Sequence, residues 1–243
     1  MKAQRDFLKA ACIASILFFS FPIQNTYSQT QKNGQVHNPD GIELVYVEGS
    51  ENKLGTYKIE GFYVGKYEIT QKEWTAIMDT NPSDFKGDNL PVENVSWDNV
   101  QEFLTRLNQK TGKNYRLPTK TEWEYAANGG INNNTYEYAG SNNIDDVAWY
   151  EENSNEKTYA VGTKKPNALG IYDMSGNVWE WCHEKYRWDN EKGEYVLDDE
   201  GFYCVYRGGS WCSTAQLCRV VYSSDYGSGD RCGSLGFRVV LLP

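Results

Sequence analysis

The sequence predicts an α+β domain with few regular elements and much irregular chain. Three helix signatures and two alternating strand patterns fall between residues 42 and 130, whereas from residue 131 onward the periodicity fades. Glycine, asparagine, serine, tyrosine and tryptophan dominate that second half. Aromatic residues make up 14% of the 243-residue chain, enough core material to hold irregular backbone through buried rings rather than ladders.

The elements follow in order. "MKAQRDFLK" is a basic leader, "AACIASILFFSF" an apolar run and "PIQNTYSQ" a polar tail, the layout of a secretory signal peptide over residues 1–28 with cleavage near Ser28. The apolar run is too short to span a membrane. Cys12 stands near its beginning, not beyond its end where a lipid anchor would need it. A secreted or periplasmic protein, soluble or held at the cell surface, with no transmembrane segment in the mature chain, is therefore expected. Residues 29–40 are polar and aperiodic and predict a disordered lead-in, leaving one domain over 41–243.

"IELVYVEG" and "GFYVGKYEIT" alternate as half-buried strands do, and predict a small antiparallel sheet. Thr70 and Glu73 form a capping box that opens a helix carrying Trp74, Ile77 and Met78. Ser96 caps a second helix, with Val100, Phe103, Leu104 and Leu107 at i, i+3, i+4 and i+7 and Gly112 at its end. Thr119 and Glu122 repeat the box ahead of a third, stopped by Gly129 and Gly130. Glu122 and Glu124, in that helix's first turn, suit the helix dipole better than acid/base work. Later, only "RVVY" and "GFRVVLL" read as strands.

Charge and composition exclude several functions. Removing residues 1–28 takes away three basic residues and one acidic one, leaving 21 Lys+Arg against 32 Asp+Glu, a net charge of −11. Such a surface repels phosphate backbones, so nucleic acid is not an expected partner. Only His37 and His183 occur, which leaves no material for a His-rich iron or zinc site or a Ser-His-Asp triad. Cysteine thiolates are the remaining strong nucleophiles and soft-metal ligands. Five cysteines follow residue 28, an odd count that allows at most two disulfides. Cys182 and Cys218 are candidates to pair in the core, with Cys204, Cys212 and Cys232 nearer the surface.

"DMSGNVWEWC", residues 173–182, is the most distinctive stretch. Asn177 and Glu180, three apart, with the carbonyls between and around them, offer the oxygen ligands that calcium prefers. Trp179 and Trp181 read equally as core anchors, with Asn177 making turn hydrogen bonds.

"RLPTKTEWEYAANGG", "KKPNALGIYDMSGNVWEWC", "YRGGSW" and "LGFRVV" occur in the order in which they occur in the formylglycine-generating enzyme, or sulfatase-modifying factor, family, which the chain resembles over roughly residues 40–243. The resemblance implies an elaborated C-type-lectin-like fold and a calcium site at Gly176, Asn177, Val178 and Glu180. It also implies an activity: catalytic members oxidise a sulfatase cysteine to formylglycine with copper(I) held linearly between two thiolates. Ser210 matches the family serine and Cys218 the second copper cysteine. The first copper position is Ser213, and Cys212 precedes it by one, so Cys212 replaces it only in a bulged loop. The catalytic set implied is thus Cys218, Cys212 and Ser210.

The alternative is a non-catalytic structural or ligand-binding module acting as a monomer on a protein or peptide ligand. "YSSDYGSGDRCGS", residues 222–234, has the composition of adaptable binding loops and resembles the variable region of retroelement-diversified proteins of this fold. Trp211, Ser213, Tyr222, Asp225, Tyr226 and Arg231 are the candidate contact residues.

Overall fold

A computed structural model of the protein describes residues 35–37, 41–51, 58–132 and 135–243. The expected signal peptide, and the expected lead-in apart from residues 35–37, lie outside the described residues. Those three residues form a strand, β1 (Gln35–His37), paired antiparallel with β2 (Glu43–Val47). Among the described residues no helix is long and apolar enough to cross a membrane.

β3 (Ser50–Glu51) and β4 (Lys58–Ile59) form a two-stranded pair, and β5 (Phe62–Gly65) pairs antiparallel with β2. The helices α1 (Gln71–Met78), α2 (Trp97–Thr111) and α3 (Lys120–Ala127) begin at Thr70, Ser96 and Thr119, each with a complete capping box. β6 (Tyr115–Arg116) lies between the last two, and a single helical turn, α4 (Ile144–Val147), follows. The first sheet runs β1-β2-β5-β12-β6, closed by the C-terminal β12 (Val240–Leu241), antiparallel to both its neighbours.

The second sheet supplies strands to the C-terminal half that its fading periodicity does not predict. It is built from β7 (Trp179–Asp189), β8 (Glu194–Leu197), β9 (Tyr203–Arg207), β10 (Ser223–Gly227) and β11 (Leu235–Gly236). Its order is β10-β9-β7-β11, with β8 on the far part of β7. The alternation is invisible in β7 because Trp179, Glu180, Trp181 and Cys182 are all buried, as in a strand covered on both faces. "RVVY" is not a strand: Arg219–Tyr222 is a turn, and the strand begins at Ser223.

Packing ties the halves together. On one side Trp74 stacks on Phe103 at 5.2 Å, both meet Phe237 edge-on, and the cluster takes in Leu107, Leu117 and Trp181. On the other, Trp123 and Ala126 of α3 pack with Phe62, Val64, Met174 and Cys182. Removing the middle ring, Phe103→Ala, is expected to cost about 3–5 kcal/mol, whereas removing a cap, Ser96→Ala, costs about 1 kcal/mol. Urea unfolding followed by tryptophan fluorescence measures both.

Candidate functional site

β9 ends in Arg207, whose buried guanidinium donates to Val220 O at 2.7 Å and Tyr222 O at 3.2 Å, pairs with Glu124 and lies over the Trp123 ring. The chain then turns through Gly208 and Gly209 at positive φ, +99° and +76°. Gly209 has no substitute: a Cβ there would collide with the Cys218 Sγ. The pair of glycines thus lays backbone directly against a thiol.

Past the glycines, Ser210 and Ser213 close a turn. Ser213 N donates to Ser210 O at 3.0 Å, Ser210 N donates to Ser213 Oγ at 3.0 Å, and the two hydroxyls are 3.0 Å apart. Both serines are buried. Cys212 between them is exposed, its Sγ 3.4 Å from Ser210 Oγ. Trp211 is pinned at both ends, its backbone N–H on Asn177 O at 2.8 Å and its indole N–H on Gly233 O at 2.9 Å.

Cys218 is fully buried. Burial pushes its thiol up to about 12, against the opposing pull of the Ser210 and Gly176 N–H groups. Ser210 therefore stands beside both sulfurs, as the resemblance implies. The residues as placed do not fit a linear copper(I) site, which needs two convergent thiolates. Ser213 presents a buried hydroxyl where the resemblance implies the first thiolate, and Cys212, although its Sγ stays beside Ser210, is an exposed residue.

Buried charges gather around the start of β7. Glu180 and Arg238 are both fully buried, with Arg238 Nε and Nη2 each 2.6 Å from a carboxylate oxygen and the Trp123 indole N–H at 2.6 Å from Oε2. Arg238 also donates to Gly65 O and Tyr172 O, each at 2.9 Å. Asn177, in a left-handed conformation at φ 63°, donates to Glu68 Oε2 at 2.6 Å and accepts from Tyr159 N at 2.9 Å, while Val178 N donates to Glu68 Oε1 at 3.0 Å. Asp173 accepts from Gly162 N at 2.6 Å.

This geometry does not fit calcium on Gly176, Asn177, Val178 and Glu180. The carboxylate is spent on a guanidinium and an indole, and the amide on protein partners. Glu68, which no sequence motif singled out, is the buried carboxylate that holds this turn. Burial, reinforced by Asp173 and Glu180, raises its pKa well above the usual range, and burial likewise pushes Asp173 up to about 6.

The candidate contact residues do not form one surface. Trp211 and Ser213 lie on the turn beside Gly233, Tyr222 packs near Trp179 at 6.0 Å, and Arg231 is exposed in the loop before β11. Asp225 and Tyr226 are consecutive strand residues, opposite Val205 and Cys204, and so face opposite sides of the sheet. Asp225 borders a cavity of about 180 Å³ lined by Lys120, Tyr186, Tyr195 and Tyr203. Tyr226 lies near Tyr206, its ring 6.4 Å away. All five cysteines among the described residues are free thiols, and Cys204 is buried, contrary to expectation. Cys182 and Cys218 sit in separate apolar clusters.

The four motifs thus meet at one centre, α3 and β7 joined through Trp123 and Glu180, with the Gly-Gly-Ser turn above it. Residues 24–242 match the sulfatase-modifying factor enzyme 1-like domain, and the chain belongs to that family. It is 35% identical to the chaperone protein LppX of Paenibacillus barcinonensis over 82% of this chain and 89% of that protein. It is 32% identical to the formylglycine-generating enzyme of Streptomyces coelicolor, over 62% of this chain and 52% of that protein, so it spans about half of that enzyme's length. Among solved structures, Treponema denticola variable protein 1 superimposes with a TM-score of 0.70 at 29% identity, over 84% of this chain and 96% of that one.

Two outcomes follow from the burial pattern. Alkylation of the native protein should label Cys212 and Cys232 while Cys182, Cys204 and Cys218 react only after unfolding, as mass spectrometry of labelled peptides will report. Because Asp173 and Glu68 bind protons more tightly folded than unfolded, the native state holds protons that the unfolded chain has released, and stability falls as pH rises from about 4 through 6. Urea midpoints across that window should fall with pH in the wild type and less steeply in Asp173→Asn.

Proposed function

We propose that this protein is an exported, non-catalytic binding module of its family, recognising a protein or peptide ligand rather than oxidising a sulfatase cysteine. The observation that carries this reading is Ser213: the position where the family resemblance calls for the first copper thiolate holds a buried hydroxyl locked to Ser210. Cys212, whose Sγ lies 3.4 Å from Ser210 Oγ, is exposed. The likeness to a chaperone protein over most of both chains supports a protein ligand, and the likeness to a variable protein supports a binding role for the turn and the loop before β11. Residues 1–28 support export by their layout.

The oxidase reading keeps one observation in its favour, the placement of Ser210 next to both Cys218 and Cys212. Under that reading a bulged turn would bring Cys212 inward, copper(I) would supply oxygen activation, and a sulfatase would be the substrate. Titration of the reduced protein with copper(I) against a competing chelator separates the two. The binding-module reading expects no stoichiometric copper(I) site in the wild type and a gained site in Ser213→Cys that depends on Cys218. Tight 1:1 binding by the wild type, lost in Cys218→Ala, would sink it.

A further inference from the structure

Away from the Gly-Gly-Ser turn, a second acidic feature lies where the segment 82–94 meets Gly233. Glu93 is fully buried. Its Oε1 accepts from Phe85 N at 2.9 Å, but Oε2, also shut off from solvent, has no hydrogen-bond partner. Leaving an ionised oxygen in that state costs several kcal/mol unless a proton or a cation meets it.

The oxygen lies beside Gly233. A Cβ placed on Gly233 would find as its three nearest neighbours only carboxylate atoms: Asp84 Oδ2 at 2.5 Å, Asp84 Cγ at 3.4 Å and Glu93 Oε2 at 3.5 Å. The two carboxylates therefore approach one point beside residue 233, where a side chain larger than glycine would collide with Asp84. Asn94 fixes the surrounding walls, with its N–H on Cys232 O at 2.9 Å and its amide on Pro82 O at 3.2 Å. The cation whose charge acts on Glu93, Lys86, places its ammonium on Asn81 O at 3.0 Å. Burial above all, with the Asp84 charge adding to it, pushes the Glu93 carboxyl up to about 7 against the opposing pull of the Phe85 and Asp84 N–H groups and Lys86.

We propose that Asp84 and Glu93 form a binding site for an oxygen-seeking divalent cation of the calcium class, held between the two carboxylates beside Gly233. Among the described residues no three His, Cys, Asp or Glu side chains converge on a metal position, so the remaining ligands are backbone oxygens and water, as calcium accepts. Two carboxylates with several waters fit an affinity on the order of 10⁻⁴–10⁻³ M, that of extracellular modules. The site braces Trp211, whose indole hydrogen-bonds Gly233 O and whose ring meets Phe85 edge-on at 5.5 Å. It stands whether the protein binds a peptide or oxidises one.

Terbium(III) is the probe, because a tryptophan a few ångströms away sensitises its luminescence, and calcium is the competitor. The expected result is a saturable 1:1 signal displaced by calcium, lost in Glu93→Gln and weakened roughly tenfold or more in Asp84→Asn. In Trp211→Phe the signal drops while calcium affinity by calorimetry is unchanged. Absence of saturable calcium binding by calorimetry, or binding that is the same in wild type and Asp84→Asn, overturns the proposal. Asp84 is exposed, so that variant decides the matter even if Glu93→Gln does not fold.

Discussion

Everything near the Gly-Gly-Ser turn depends on the buried pair of Glu180 and Arg238. A guanidinium with no water around it must spend its donors on the protein, and Arg238 spends them on Glu180, Gly65 O and Tyr172 O. Trp123 adds its indole N–H to the same carboxylate. Segments separated by more than a hundred residues are thereby held to one point. Such a pair adds little net stability over an apolar replacement of the same volume, but losing one partner would strand a charge. What it contributes is register: α3, β5 and β7 have one arrangement in which all these donors find acceptors.

From that centre a short series of hydrogen bonds leads outward. Val178 N and the Asn177 amide hold Glu68, the Asn177 carbonyl holds Trp211, and Trp211 sets the position of the serine turn. Gly208 and Gly209 supply positive φ, and the second brings its backbone onto Cys218. Within such a turn a shift of one residue exchanges inside for outside. The order Cys212-Ser213 therefore buries a hydroxyl and exposes a thiol, and the chemistry available to the site follows from that order alone.

The sequence was most legible where local physics is strong. Thr70, Ser96 and Thr119 each carry a cap whose geometry needs only neighbours three residues away, and all three helices begin there. The pairing of β2 and β5 was equally readable, since Val45 and Val47 of one and Phe62 and Val64 of the other alternate with the less buried Tyr46 and Tyr63. β7 was not, because its first four residues are buried on both sides and show no period of two. The roles of Glu180 and Glu68 were hidden for a different reason. Their partners, Arg238 and Asn177, lie 58 and 109 residues away, and no local pattern reports such a distance. The contact of the Ser213 hydroxyl with Ser210 was not legible in the sequence either, because it depends on how the turn after the two glycines closes.

β10 has a further consequence. Its five residues pair one for one with β9, so neighbouring side chains alternate between two sides of the sheet. Changing Asp225 reshapes the tyrosine-lined hollow on one side, while changing Tyr226 reshapes the opposite surface next to Tyr206. A stretch of sequence that varied freely here would not tune a single recognition patch. It would vary two of them independently, one through odd-numbered and one through even-numbered positions, on a backbone that stays fixed.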